Sequence, residues 1–322
     1  MMKTKKLNAK LIGNLAPYIG LIAVCVIFGL LTNGKLYSVT NLQSLTCQII
    51  VTALATIGSI FVFGAGFFDI SVTGCICFAA VLGGMATIKT GSLFVGLIVV
   101  IIVSLAFGIM KGVFASLVNV PFFIFTIVLG SVLSAAVLVI LGSETTLYLR
   151  NAVTPVREFS FNEISIINII CLAGFFVVCL ILFNYTSLGV KVKNMGGNIV
   201  SAKQSGISTK KTTITVFVIC AIGFAIAAFL IMIRTRTVGG STASGVGNDV
   251  MVALVLGGMP LSGGPKSKIS AGILGAATIT ILNSGLSIMG LDTGQIQIFR
   301  GVIFIVVVLI SSFSYRGKLL PR

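Results

Sequence analysis

The chain has 322 residues, of which 57% are hydrophobic and only 9% are charged. A soluble domain of ordinary composition carries about 25% charged residues, so this sequence could not solvate a globular surface. The composition excludes a soluble globular domain and predicts a polytopic membrane protein whose solvent is lipid.

The formal net charge of +16 suggests a nucleic-acid partner at first sight. However, no basic stripe is interleaved with base-stacking aromatics, and Lys and Arg in short loops of a membrane protein mark the cytoplasmic side. We therefore expect the lipid bilayer as partner, and no nucleic acid. The chain contains no histidine, which removes the usual zinc sites and every His-based catalytic triad. We expect no metal and no catalytic residue.

Apolar runs bounded by Gly, Pro, Asn and charged residues predict about ten membrane spans, each helical. Most approach the ~20 residues that a helix needs to cross ~30 Å of hydrocarbon, whereas the second and eighth are short. The predicted fold is an all-α bundle that forms a single transmembrane domain over residues 1–322. The spans are expected near residues 15–32, 49–64, 69–88, 93–111, 121–142, 164–185, 213–233, 249–260, 269–289 and 297–314.

The basic residues predict the orientation of these spans. We take residues 1–14 as a cytoplasmic tail followed by an uncleaved first span, and let the spans alternate. The inside segments then hold fifteen basic residues, among them Lys111, and the outside segments hold six. This asymmetry predicts that both termini are cytoplasmic.

Two loops differ from the rest. Residues 143–163 form the longest outside segment, and residues 186–212 form the longest inside segment, with five lysines and no acid. Within the inside loop, residues 199–204 predict a short helix closed by Gly206. Such a helix would offer a docking surface to a soluble partner, and a plain solvated linker is the alternative.

A segment rich in glycine ends the short eighth span and forms an inside loop after it. In GGMPLSGGPKSK, Pro260, Pro265 and paired glycines prevent a continuous helix. Irregular backbone near a bilayer persists only where protein or a water-filled path covers it. The AVLGGM sequence at Ala80–Met85 also recurs as LVLGGM at Leu254–Met259. An inverted repeat of two five-helix halves would produce this recurrence, and a chance match of apolar residues is the alternative.

Few residues offer chemistry. Asp69 and Asp249 are the acids at predicted span starts, where each either caps a helix N-terminus or serves as an ion-coupled carboxylate. The string Gly263–Ser267 contains G-x-K-S without the first glycine of a phosphate-binding loop. We therefore expect no ATP site, no cofactor and no enzyme activity in this chain.

Four ordered segments carry a resemblance to a known family: Gly64–Gly84, Asn119–Ser143, Leu188–Ser208 and Val255–Gly290. They resemble, in the same order, the inner-membrane permease subunits of bacterial ABC importers for ribose and related monosaccharides. The most specific piece is GG-x-x-L-x-GG in the last segment. The resemblance implies a multi-pass inner-membrane protein with cytoplasmic ABC ATPase subunits, a second permease subunit (identical or related) and an external solute-binding protein as partners. ATP would be used by the partner subunit.

The resemblance also implies roles for particular residues. The coupling loop on the ATPase would include Asn194, Gly196, Gly197, Asn198, Ala202, Lys203, Ser205 and Gly206. The translocation path would be lined near Asp69, Ser71, Thr73, Asn119, Thr126, Asn283 and Ser284. A glycine-rich cytoplasmic turn would comprise Gly257, Gly258, Leu261, Gly263 and Gly264.

The chain departs from the family pattern at several positions. Ile199, Val200 and Ser201 stand where the family loop commonly has acids, so docking would rest on backbone, helix shape and lysines. Phe68 precedes Asp69, and Thr73 precedes Gly74, where the family pattern differs. Two alternatives stay open: the same architecture carrying a nucleoside or a branched-chain amino acid, and an ion-coupled secondary transporter.

Overall fold

The computed structural model describes residues 2–118, 120–152, 158–260 and 262–316. Within these ranges the chain is a helix bundle with a short two-stranded ribbon. The helices are α1 Met2–Leu31, α2 Val39–Gly64, α3 Val72–Thr90, α4 Leu93–Leu117, α5 Phe122–Leu141, α6 Phe161–Asn184, α7 Ser187–Gly197, α8 Ile199–Gln204, α9 Thr209–Thr235, α10 Val246–Leu256, α11 Ser270–Ile288 and α12 Thr293–Arg316.

The lengths of the helices fit a polytopic membrane protein. In the described part of the chain, seven helices (α2, α3, α4, α5, α6, α9 and α11) are long and apolar enough to cross a bilayer. Three shorter apolar stretches, Leu15–Leu31, Val246–Leu256 and Thr293–Val306, accompany them. The all-α polytopic bundle is thereby confirmed, whereas the count of ten spans and the inverted repeat stay predictions.

The helix boundaries depart from the predicted spans at two informative places. Helix α2 begins at Val39, ten residues before the predicted start at 49, and Ser38 caps it by accepting a hydrogen bond from the backbone of Asn41. Polar side chains in its first turns lower the hydropathy there and hide the helix from a pattern of apolar residues. Helix α4 continues past Lys111 to Leu117, so Lys111 belongs to the bundle and not to a loop.

The centre of the bundle is built by close contacts of small residues. Helices α2 and α9 cross where Gly58 meets the backbone of Cys220, and Gly223 lies against Leu54. Helix α4 packs on α9 through Gly108 and Gly112. Glycine at a helix crossing lets two backbones approach, which supplies van der Waals contact where lipid gives no hydrophobic driving force. Accordingly, α2 and α9 are the most buried long helices.

Helix α10 stops inside the bundle. Its eleven residues extend about 16 Å at 1.5 Å per residue, about half of the hydrocarbon thickness. It ends at Gly257, where an added Cβ would collide with the carbonyl of Ala271. Gly258 then takes a φ of +87°, which only glycine adopts readily. The irregular backbone predicted for this segment is therefore present. Neighbouring protein buries Gly257, Met259, Pro260, Gly263 and Gly264, whereas Gly258 and Pro265 are exposed.

The two ends of the bundle carry different structures. At one end, Thr146–Tyr148 pairs antiparallel with Thr237–Gly239, with Leu147 opposite Val238. We call this the ribbon end; the sequence analysis predicted no strand. At the other end lie α7 and α8, and we call it the coupling-loop end.

Candidate coupling surface and translocation path

The predicted coupling loop contains two helices, α7 and α8, which are joined at Asn198. The backbone of Asn198 is extended, and its side-chain Oδ1 accepts hydrogen bonds from the backbone N–H groups of Val200 (2.9 Å) and Ser201 (3.1 Å). This N-cap satisfies two of the four free N–H groups that begin any helix. The predicted helix over 199–204 is confirmed, and Gly206 closes it at a φ of +77°. Helix α7 was not predicted.

The outer face of α8 is exposed, and its inner face is anchored. Ala202 is buried, whereas Val200 is 59% exposed and Ile199 is 42% exposed. Among the other predicted coupling residues, Gly196 is half-buried and the rest are exposed: Asn194, Gly197, Asn198, Lys203, Ser205 and Gly206. Helix α8 is therefore anchored by Ala202 and exposes two apolar side chains, Ile199 and Val200, close to Lys203.

Three glycine segments meet beneath this surface, and we call their meeting point the glycine contact. The backbone N–H of Gly264 donates to the carbonyl of Gly64 at 2.9 Å. A Cβ on Gly196 would collide with the same carbonyl and with the backbone N of Gly264. Gly263 has a φ of +67° and lies against the carbonyl of Phe63. The glycine contact therefore joins the end of α2, the coupling loop and the irregular segment backbone to backbone.

The predicted glycine-rich turn is divided by the fold. Gly263 and Gly264 belong to the glycine contact, whereas Gly257 ends α10 and Gly258 packs against Pro17 of α1. Leu261 lies outside the described residues.

Asp69 lies in the connection between α2 and α3 and pairs with a buried lysine. Its Oδ2 accepts from Nζ of Lys111 at 2.6 Å, and its Oδ1 accepts from the backbone N (2.9 Å) and the hydroxyl (2.6 Å) of Ser71. The side chains of Asp69 and Lys111 are each 2% exposed. The ring of Phe224 lies 5.0 Å from the ammonium, within range of a cation–π contact. The N-cap of α3 is Ser71, so Asp69 is not the N-cap residue considered from sequence.

Sequence reasoning missed Lys111 by counting it among the inside lysines. The sequence did contain a signal for its role, because the string FGIMKGVF places Lys111 in the middle of an apolar run. A charged group inside a membrane bundle is rarely left alone and faces a partner. Thr126 joins the same buried region by accepting a hydrogen bond from the backbone of Ile70 at 3.2 Å.

A second polar cluster lies near the ribbon end and joins three helices. Asp249 of α10 accepts through Oδ1 from Nδ2 of Asn283 in α11 (3.1 Å) and pairs with Nη1 of Arg300 in α12 (3.2 Å). Nε of Arg300 donates to Oδ1 of Asn283 at 2.6 Å. The N-cap of α10 is Gly245, so Asp249, which lies in the first turn, is not the N-cap residue considered from sequence; it has a specific counter-ion instead.

The predicted path residues therefore fall into separate groups. Asp69, Ser71 and Thr126 share the buried region around Lys111 and have almost no exposed surface. Asn283 belongs to the cluster near the ribbon end, and the next residue, Ser284, donates to Oδ1 of Asn41. Thr73 is half-buried and accepts from the backbone N–H of Gly247, near the second cluster. Asn119 lies outside the described residues. Their role in lining a path stays a prediction.

The fold and these clusters define a polytopic membrane bundle with a structured loop at one end. Comparison with known proteins identifies the family to which this bundle belongs. The family model described as "Branched-chain amino acid transport system / permease component" matches residues 41–310. The chain belongs to this family, and the resemblance to ABC permeases is confirmed.

Individual relatives match over nearly their whole lengths. The ribose import permease protein RbsC of Escherichia coli K12 is 25% identical over 91% of this chain and 92% of its own length. The xylose transport system permease protein XylH of Haemophilus influenzae is 27% identical over 93% of this chain and 96% of its own. RbsC of Haemophilus influenzae is 26% identical over 99% of this chain and 100% of its own. No solved structure matches significantly.

Proposed function

We propose that this chain is the membrane-spanning permease subunit of an ATP-binding-cassette importer for a monosaccharide. The family model alone names branched-chain amino acid transport. The observation that carries the proposal is the nearly end-to-end match to ribose and xylose permeases, which covers 96% of the xylose permease and 100% of the ribose permease of Haemophilus influenzae. It favours a sugar over the nucleoside or amino-acid alternative.

We propose that ATP hydrolysis takes place on separate cytoplasmic subunits that dock on α7 and α8. The support is geometric, because α8 presents exposed Ile199 and Val200 on a helix anchored by buried Ala202. The glycine contact joins this surface to α2 and to the irregular segment after α10. Because these contacts are made directly between backbones, with no flexible side chain in between, a displacement of the docked helix would be transmitted to the bundle.

The opposite end would receive the sugar from an external solute-binding protein. The ribbon links the segment after α5 to the segment after α9, so the outside loops 143–163 and 234–248 adjoin each other, and we propose that they meet the binding protein. This proposed orientation would put both termini in the cytoplasm of a cell whose inner membrane holds the protein. Ten spans result if α1, α10 and α12 also enter the bilayer. A second permease subunit, identical or related, would complete the path.

The ion-coupled alternative gains no support from the two acids that motivated it. Asp69 pairs with Lys111, and Asp249 pairs with Arg300. A carboxylate that carries an ion or a proton through the membrane needs to release its counter-charge in each cycle, and the buried position of the first pair makes that costly.

Reconstituted transport tests the proposed function. The chain would be purified with its ATPase and binding protein, placed in liposomes, and assayed for uptake of labelled D-ribose, D-xylose, a nucleoside and leucine. We expect uptake of a pentose that depends on ATP and on the binding protein. Uptake of leucine or the nucleoside in place of sugar, or full sugar uptake without ATP, would overturn the proposal.

A further inference from the structure

The cluster of Asp249, Asn283 and Arg300 keeps hydrogen-bonding capacity that its own members do not use. Asp249 uses Oδ1 for both of its partners, and Arg300 uses Nη1 and Nε. Within the described ranges, no group bonds to Oδ2 of Asp249 or to Nη2 of Arg300. One charged acceptor and one charged donor are therefore left free on neighbouring side chains.

Both free atoms belong to side chains that are partly accessible. The side chain of Asp249 is 13% exposed and that of Arg300 is 17% exposed. Arg300 stands seven residues after the start of α12, about 10 Å along the helix axis. If α12 enters the bilayer as proposed, charged groups at this position face a bundle interior or a water-filled space, because exposure to lipid is costly. The cluster thus marks a position where water or a hydrophilic ligand meets the bundle.

The backbone next to the cluster lies close to the guanidinium of Arg300. Gly245 has a φ of +84°, and a Cβ there would lie 2.9 Å from Nη1 of Arg300. A larger residue at this position would displace the guanidinium. On the neighbouring α3, Thr73 accepts from the N–H of Gly247, and its hydroxyl proton has no acceptor among the described residues. A third polar group with an unused proton therefore borders the cluster.

The free atoms define the chemistry of the ligand. Two adjacent hydroxyls of a sugar satisfy them together, since one hydroxyl donates to the carboxylate oxygen and the other accepts from the guanidinium. A neutral diol uses only the free atoms and leaves the ion pair of 3.2 Å in place. A zwitterionic amino acid would instead bring two full charges and compete with that pair.

We infer that Asp249 and Arg300 form a binding site for a vicinal diol of the transported sugar, near the ribbon end where the sugar enters, with Asn283 holding the two side chains in place. This inference rests on the proposed function, because it names the part of the bundle that recognises the substrate.

The test uses the complete importer in liposomes with D-ribose and with 2-deoxy-D-ribose, which lacks the 2-hydroxyl and with it the vicinal pair on carbons 2 and 3. The variants are Asp249→Asn, Arg300→Gln and the two together. The control is Glu158→Gln, because Glu158 is 67% exposed and its ion pair with Arg236 lies elsewhere at the same end. All variants share one binding protein, so any change in the preference between the sugars arises in the permease.

We expect each variant of the cluster to lower the turnover of ribose by about tenfold or more, the loss typical of a hydrogen bond to a charged group. The ratio of ribose to deoxyribose turnover should fall toward one, and the control should keep both values. Single variants leave one charge unpaired and could fail to fold, so the double variant, with no charge left, decides. Wild-type turnover and an unchanged ratio in the double variant would overturn the site. A wild-type importer that carries leucine and no sugar would overturn the proposed function itself.

Discussion

Lys111 and Asp69 are ionised groups held in the interior of a membrane bundle, and each neutralises the other. Both are almost fully buried, and Ser71 occupies the second carboxylate oxygen. The attraction within such a pair roughly offsets the cost of removing two charges from water, whereas breaking it leaves one charge without compensation. The pair therefore anchors the connection between α2 and α3 and is expected to stay outside the transport reaction.

Removal of one partner of this pair should destabilise the protein strongly. Lys111→Met leaves the Asp69 carboxylate buried and unpaired, at an expected cost of about 3–5 kcal/mol. The double variant Lys111→Met with Asp69→Asn carries no charge and should recover most of that loss. Thermal unfolding of the purified chain in detergent measures both.

The matched control is Arg236→Gln, because the pair of Arg236 with Glu158 is largely exposed and such pairs contribute about 0–1 kcal/mol. A double variant that is as unstable as the single one would contradict the assignment of the pair as the source of the loss.

At the scale of elements, the glycine contact decides how the coupling loop is seated. Gly196 and Gly197 are neighbours in sequence, but only Gly196 faces the carbonyl of Gly64. The contact excludes any side chain at Gly196, while the nearest atom to a Cβ on Gly197 is Cδ of Pro265 at an ordinary 3.6 Å. Substitution of alanine at both positions changes helix propensity in the same way, but only at Gly196 does it also disturb the packing of the coupling loop against α2.

Gly196→Ala should push α7 and α8 away from the end of α2. We expect ATP hydrolysis by the docked partner to lose its stimulation by sugar and binding protein, because the displaced loop no longer moves with the bundle. Gly197→Ala adds the same methyl group without a collision and should keep wild-type stimulation. Equal behaviour of the two variants would show that the glycine contact has no part in coupling.

The stability of helix α8 depends on its N-cap, Asn198, as well as on its packing against the bundle. Asn198→Ala removes the acceptor for the N–H groups of Val200 and Ser201, at a typical cost of about 1 kcal/mol. A helix of six residues has little stability of its own, so this loss should fray it. Co-purification of the ATPase should fall, and Asn198→Asp, which retains an acceptor, should restore it. Undiminished co-purification of Asn198→Ala would contradict a docking role for α8.

At the scale of the whole molecule, the orientation in the membrane follows from the distribution of charge and is open to a direct test. Cysteines introduced at Lys203 and Glu158 stand at opposite ends of the bundle on exposed side chains. In intact cells, an impermeant maleimide should label Glu158→Cys at once and Lys203→Cys only after permeabilisation. The unaltered chain supplies the background from its seven native cysteines. The reverse pattern would place the coupling loop outside and contradict the proposed arrangement.

The sequence was most informative where local chemistry decides the outcome. The helix over 199–204, its closure at Gly206 and the irregular segment around Pro260 follow from capping and from backbone restrictions, which act within a few residues. The early start of α2 was missed because its first turns carry polar side chains that lower hydropathy. Helix α7 was missed because its lysines gave it the composition of a linker.

The sequence by itself determined that this protein lives in a membrane as a helical bundle, since its composition leaves no polar surface to solvate, and its ordered motifs indicated the family. Only the tertiary structure decided which charged residues meet. Lys111 finds Asp69 across 42 positions of the chain, and Asp249 finds Asn283 and Arg300 on separate helices. Such pairings depend on how helices cross, and the crossings are set by glycine contacts between residues far apart in sequence, which no local pattern specifies.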